Sequence, residues 1–282
     1  MKKLEDSSIV ICGIVRDAEN GLKRNIPVIK DLCRHAKDYI VVLFENDSKD
    51  GTKAYLRQWQ KEDGKVVAVM KDATAPSPIP RKMEDGRNPF FCKERIGKMV
   101  YLRNQYMQYI QEHDITADYL IVVDLDVAQL YLDGIISSFS TSVEWDSITA
   151  FGYSTSPKLK RRYHDGFALV EYGKEAEPKT ESGIKELCEK YGEFSSPEPV
   201  RVYSAFGGLA IYRFEAVRGL KYQLLGNDDP RVECKCEHTS ICAQMKDRGF
   251  DRVYINPKMK LHYQSLSLSL IWKTFVRHLK RN

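Results

Sequence analysis

The amino-acid sequence predicts an α/β fold, an open and mostly parallel sheet with helices on both faces and a smaller antiparallel portion behind it. Three observations lead there. Apolar, β-rich runs alternate with helix-period segments in the order β-α-β-α-β-α-β through residue 127. The first two runs are separated by a full amphipathic helix, so they must be parallel and joined by a right-handed crossover. After residue 127 the alternation loosens and strands follow one another more directly.

The first strand is "SIVICGIV" (8–15) and the second "YIVVLFEN" (39–46). Between them Leu22, Ile26, Ile29, Leu32 and Cys33 recur at helical spacing. "DSKDGTKAYLRQWQKEDG" is a turn into a second helix, capped by Ser48 or Asp50, and "KVVAVMKD" is the third strand. Residues 73–93 hold four prolines and form a long loop, a length that within a compact domain usually has a function. "RIGKMVYLRNQYMQYIQEHD" is a helix with Met99, Leu102, Tyr106 and Ile110 on its apolar face, and it feeds a strand at 119–125. Beyond lie a strand at "SITAFGY", a polar insertion, a strand–Gly-Gly–strand element "VRVYSAFGGLAIYR", a helix "EHTSICAQMKDRG" and a last strand "DRVYINPKMKLHY". Residues 1–265 are expected to form one domain, with halves at about 8–127 and 128–265. The basic tail 266–282 is expected to be helical, docked on the core or lying on a membrane surface.

Length and composition suit a single large globular domain of 282 residues, 43% hydrophobic and 29% charged. Its 44 Lys and Arg are dispersed among 39 Asp and Glu, so the net +5 argues weakly for an anionic ligand and against nucleic acid. No apolar leader follows the first residues, and no run approaches the roughly 20 residues of a membrane span. With seven cysteines in no secreted-type framework, a cytoplasmic protein with reduced thiols is expected. Cys234, Cys236 and Cys242 beside His238 lack paired Cys-x2-4-Cys spacing, which favours buried thiols over a structural zinc.

The chemical signal lies in "YLIVVDLDV" (119–127), where Asp124 and Asp126 end the most apolar run of the chain. In an extended strand, residues two apart point to the same side. The two carboxylates therefore converge just past the strand's carboxyl end, where open parallel sheets bind ligands. They repel unless a cation separates them, and hard oxygen donors suit Mg²⁺ or Mn²⁺. The first two strands also end in polar segments, "GIVRDAEN" and "FENDSKDGT", lining the same crevice. Arg16, Lys98 and Arg103 are candidates for the oxygens of a diphosphate.

These motifs resemble the GT-A glycosyltransferases. "FENDSKDGT" is similar to their acidic strand-end segment, "RIGKMVYLRN" to the helix before the Asp-x-Asp strand, and "VDLDV" to the Asp-x-Asp motif itself. More narrowly, "RIGKMVYLRNQYM", "VRVYSAFGGLAIYR" and "ECKCEHTSICAQMKDRGFDRVYINPKMKLHY" resemble a fungal capsule-type α-mannosyltransferase group. The likeness spans about 8–263, weakest around 155–200. It implies a Rossmann-like sheet and transfer of a sugar from a nucleoside diphosphate, GDP-mannose or a UDP-sugar, to a hydroxyl of a glycan or lipid-linked saccharide in surface polysaccharide synthesis. Carried over by position, it implies Asp126 and His262 as ligands of Mn²⁺ or Mg²⁺, with Asp124 on the metal or the ribose. Glu45 would lie near the base or ribose, with Arg16 and Arg103 facing the nucleotide or diphosphate. Glu237 and Asp165 would be the acceptor-side acids, and Gly207 and Gly208 would let backbone approach the donor sugar or merely make a turn. Stereochemistry stays open between inversion and retention. The rival readings are a non-catalytic nucleotide-sugar-binding relative and a nucleotidyltransferase; the latter would want a glycine cluster that "GIVRDAENG" lacks.

Overall fold

A computed structural model describes residues 2–71, 83, 85–156, 160–193 and 195–264. The tail 266–282 and most of the loop 73–93 lie outside the described residues. Chain order is β1 (Ser8–Val15), α1 (Glu19–His35), β2 (Asp38–Glu45), α2 (Thr52–Glu62), β3 (Val66–Met70), α3 (Lys93–Glu112) and β4 (Tyr119–Val123). The second half adds β5 (Gln129–Leu130), α4 (Leu132–Ser137), β6 (Ser147–Thr155), β7 (Arg161–Tyr163), β8 (Val170–Glu171) and α5 (Glu181–Gly192). It ends with β9 (Val200–Ser204), β10 (Leu209–Arg213), α6 (Phe214–Val217), α7 (Glu237–Asp247) and β11 (Val253–Gln264).

All strands join one sheet in the order β3-β2-β1-β4-β10-β6-β11-β9-β8, with β5 beside β11 and β7 beside β6. β3, β2, β1 and β4 are parallel to one another. β10 runs antiparallel between β4 and β6, and the far edge is mixed. Although only residues 205–208 separate them, β9 and β10 do not pair; the connection passes β11 and β6 to place β10 beside β4.

Strand alternation explains the core. Ile9, Ile11, Val41, Leu43, Ile121 and Val123 face Leu22, Ile26 and Ile29 of α1 and Leu56 and Trp59 of α2. Val10, Cys12, Val42, Leu120 and Val122 face Ile96, Tyr106 and Ile110 of α3 and Ile241 and Met245 of α7. Because both strand faces are covered, the strands read as unbroken apolar runs. Each such side chain contributes about 1.5–3 kcal/mol on burial. The helix expected from Met99, Leu102, Tyr106 and Ile110 buries the last three, while Met99 is half-buried at the cleft. Asp50 receives the backbone N–H of Thr52 at 3.0 Å as α2 begins, whereas Ser48 serves another loop. Among the described residues, no helix is long and apolar enough to cross a membrane.

Candidate active site

Two loops at the carboxyl ends of β1 and β2 are laced together by their own acids. Asp17 accepts from Lys49 N at 2.7 Å, Asp50 from Glu19 N at 3.1 Å, and Glu19 from Gly51 N at 3.0 Å. Ser48 Oγ accepts from Asp17 N, and Thr52 Oγ1 from Ala18 N. Glu45 is fully buried; one oxygen accepts from Ser48 N at 2.8 Å and the other has no hydrogen-bond partner. Arg16 is exposed beside this lacework, 3.6 Å from Asp17.

The Asp124–Asp126 segment is built differently from the extended geometry expected. β4 stops at Val123, and Asp124 N donates to Gly208 O at 2.9 Å. Leu125 and Asp126 form a turn, so both acids reach one cleft by bending of the chain rather than by strand alternation. The turn is clamped by Asn25 of α1, buried among leucines and isoleucines. Its amide donates to Leu125 O at 3.0 Å and Val127 O at 2.8 Å, and its oxygen accepts from Leu130 N. Gly21, one helical turn before Asn25, lets α1 approach; a Cβ there would lie 2.6 Å from Leu125 O. Sequence reasoning passed over Asn25, although a lone amide on the apolar face of α1 was its signal.

The cleft has a volume of about 390 Å³, and four carboxylates line it: Asp124, Asp126, Asp165 and Glu237. Among the described residues, the cations lining it with them are Arg95 and Arg103. Arg103, on α3, is 3% exposed; its Nε donates to Glu237 Oε1 at 2.9 Å and its Nη2 lies 3.6 Å from Asp124. Phe206 sits under the guanidinium at 4.9 Å, and Nη1 has no partner. Burial pushes the Asp124 carboxyl up to about 7, against the pull of Arg103 and with help from nearby Asp126. Burial likewise raises Asp165, while the N–H groups of Ala168 and Gly207 oppose the rise. His238 stacks on Phe206 at 3.7 Å with both ring nitrogens unpartnered, and burial pushes it well below its usual range, so it is neutral.

Gly207 and Gly208 hold acids in place by their backbone: Gly207 N lies 3.4 Å from Asp165 Oδ2, and Gly208 O receives Asp124 N. Both have positive φ, +63° and +91°, and a Cβ on Gly207 would lie 2.3 Å from Ala150 O. Neither lines the cleft.

His262 is not among the cleft-lining residues, whereas neighbouring Tyr263 lines the cleft and donates to Asp124 Oδ2 at 3.1 Å. His262 instead stacks on Tyr153 at 5.0 Å, with Nε2 buried and unpartnered. The histidines lining the cleft are His164 and His238; His164 stacks on Tyr263 at 3.4 Å. Tyr263 and His164 were both passed over in the sequence, because nothing local tells which of two adjacent strand residues faces inward. Lys98, half-buried on α3, and Arg16 are not among the cleft-lining residues. Cys234, Cys236 and Cys242 are buried free thiols.

A divalent cation fits this site electrostatically, since among the described lining residues carboxylates outnumber cations two to one and Asp126 is exposed to the cleft. Among the described residues, no three His, Cys, Asp or Glu side chains converge enough to hold it alone. Mg²⁺-type sites commonly use one or two carboxylates and take the remaining oxygens from phosphate and water. A separate cleft of about 400 Å³ lies at the amino end of β4, lined by Asp118, Arg213 and Arg252. Its charges are mutually satisfied: Asp146 accepts from Arg252 at 2.9 Å and Arg213 at 3.3 Å.

No protein-family model and no curated protein sequence matches the chain. Among solved structures, GalNAc-T7 with UDP, GalNAc and Mn²⁺ superposes with a TM-score of 0.52 at 14% identity, over 97% of this chain and 48% of that one. The mannosyltransferase PcManGT from Pyrobaculum calidifontis, in complex with GDP-Man and Mn²⁺, matches at 0.49 and 12% identity, over 97% and 61%. S. aureus TarS 1-349 matches at 0.49 and 8% identity, over 92% and 60%. The chain thus spans about half to three fifths of those chains. The likeness is one of fold, and the fold is the GT-A type.

Proposed function

We propose that this protein is a divalent-metal-dependent glycosyltransferase that moves a sugar from a nucleoside diphosphate to an acceptor hydroxyl. The observation that carries the reading is the crowding of Asp124, Asp126, Asp165 and Glu237 in one cleft at the carboxyl end of β4, with Arg103 as the buried internal cation. Such a cleft stores negative charge that a bound cation and its diphosphate would balance. The GT-A fold, shared with a structure holding UDP and Mn²⁺, supports the same donor class. GDP-mannose and UDP-sugars are the candidate donors, and Mn²⁺ or Mg²⁺ the candidate ion. The acceptor is a glycan or lipid-linked saccharide.

Asp126 and Asp124 would hold the metal, which when bound supplies Lewis-acid stabilisation to the departing diphosphate. Tyr263 and the Gly208 carbonyl orient Asp124, and Asn25 fixes the turn that presents Asp126. Arg103 donates to Glu237 and faces Asp124, which offsets part of the repulsion between the two carboxylates. For the proton of the acceptor hydroxyl, Asp165 is the better-placed base in an inverting transfer. Its oxygens meet only backbone N–H groups and its carboxyl is raised, whereas Glu237 is tied to a guanidinium. Membrane contact through 266–282 belongs to the same proposal, since a basic segment favours anionic lipid.

The test is donor turnover. With Mn²⁺, the protein should release GDP or UDP from one member of a panel of GDP-mannose and UDP-sugars, and chelator should stop it. Asp126→Asn should lower that rate on the order of a hundredfold or more, consistent with loss of an electrostatic stabiliser. Undiminished turnover by Asp126→Asn would sink the assignment.

A further inference from the structure

We infer that the outer part of the cleft is a subsite for a pyranose ring of the acceptor, walled by Phe90, Phe91 and Phe167 and floored by Asp165 and Glu237. The inference rests on the glycosyltransferase reading of the same cleft. Among the described residues that line the cleft, Phe90 alone is a large hydrophobic residue left exposed, at 47%. Its ring is continuous with those of Phe91 and Phe167, so the cleft mouth carries a contiguous aromatic surface and not an isolated apolar side chain.

The ring is fixed. Asn88 Oδ1 accepts from Phe90 N at 3.0 Å, Arg95 Nη1 donates to Phe90 O at 3.2 Å, and the Arg95 guanidinium lies 3.7 Å from the ring centroid. Phe90 meets Phe91 edge-on at 5.4 Å and Phe167 at 6.4 Å, while Phe91 and Phe167 lie 4.9 Å apart. Phe91 and Phe167 are buried and anchored in the same core cluster as Ile96 and Ile184. The wall is therefore ordered before any ligand arrives, which lowers the entropic cost of binding.

The occupant must match both halves. A hydrocarbon chain would strip water from Asp165 and Glu237 without giving them partners. An anionic group would be repelled by the same carboxylates. A pyranose presents an apolar C–H face on one side and hydroxyl donors around its rim. Its face suits the aromatic wall, and its O–H groups suit carboxylates as strong acceptors. An aromatic wall facing a few convergent polar groups is a recurrent form of small-ligand site.

The experiment is saturation-transfer NMR on the full chain with Mg²⁺ and UDP or GDP. The probes are methyl α-D-mannopyranoside, methyl α-D-glucopyranoside and methyl α-D-galactopyranoside. At least one should receive saturation on its ring C–H protons. That signal should fall at least fivefold in Phe90→Ala, fall in Phe90→Leu, and persist in Phe90→Trp, with circular dichroism verifying the fold of each. No signal from any pyranoside with the wild type, or an equal signal with Phe90→Ala, overturns the subsite. Loss of nucleotide binding in Phe90→Ala also overturns it, by reassigning the ring to the base. Titration of the wild type with UDP and GDP in Mg²⁺ separates the two readings. Pyranoside binding that depends on Phe90 without any nucleotide binding sinks the donor reading and not the subsite.

Discussion

Two sets of acids stand at strand ends of this protein, and they are treated in opposite ways. At β1 and β2, Asp17, Glu19 and Asp50 each accept a backbone N–H group of the opposing loop. The Lys23 side chain and the Gly51 N–H hold the Glu19 carboxyl below its usual range. At β4, Asp124 and Glu237 share one buried guanidinium, Asp165 meets two backbone N–H groups, and burial drives Asp124 up to about 7. The first set spends its charge on closing loops. The second keeps its charge unbalanced, which is the condition for binding a cation. An acidic motif in sequence looks the same in both cases; what differs is how many donors surround it.

The comparison breaks most sharply at Arg103. Arg103→Met leaves Glu237 and Asp124 buried without their cation, and loss of one partner of a buried pair costs about 3–5 kcal/mol. Chemical denaturation should show it, and a loss below about 1 kcal/mol would mean the pair is solvated. A loss of the same order is expected for Asn25→Leu, which leaves the Leu125 and Val127 carbonyls and the Leu130 N–H without their partner. With about 1–3 kcal/mol for each unsatisfied buried group, stability and Mn²⁺ affinity should fall together. Unchanged Mn²⁺ affinity by calorimetry would show that the turn holds without the clamp.

A pH dependence sharpens the contrast further. The folded Asp124 binds its proton more tightly than the unfolded chain does, so between about pH 4 and 7 the native state holds the extra proton. Metal-free stability should therefore fall as pH rises through that window and level off above it. Urea melts in chelator at pH 5, 6 and 7 should show the slope, and Asp124→Asn should flatten it. Adding Mn²⁺ at pH 7 should restore stability, because the cation replaces the proton. The smallest effect belongs to the first acid set. Asp50→Asn weakens one loop contact and should lower the melting temperature slightly, with no change in Mn²⁺ affinity. A loss of metal binding there would erase the distinction between the two regions.

Much of the fold was legible because its cause is local. The apolar runs at 8–15 and 39–46, and the helical spacing of Leu22, Ile26 and Ile29, each state their own secondary structure. The acidic tip of "YLIVVDLDV" pointed to the cleft, although the route differs: a turn at Leu125 and Asp126 brings the acids together instead of a strand. At the last strand the sequence pointed to His262, and the structure turns Tyr263 toward Asp124. A one-residue change of facing is invisible to composition, since register is set by pairing with β5 and β6.

The sequence by itself determined the strand–helix alternation, the parallel first half and the concentration of acids at strand ends. Periodicity and chain connectivity are properties of neighbours, so they can be read from neighbours. Only the tertiary structure decided which acids are satisfied. Arg103 meets Glu237 across 134 positions, Asn25 grips residues 100 and more away, and Gly208 aligns Asp124 from the strand beside it. Charge balance in a buried site depends on donors brought from distant parts of the chain. That balance, more than the acids themselves, separates a closed loop from a candidate metal cleft.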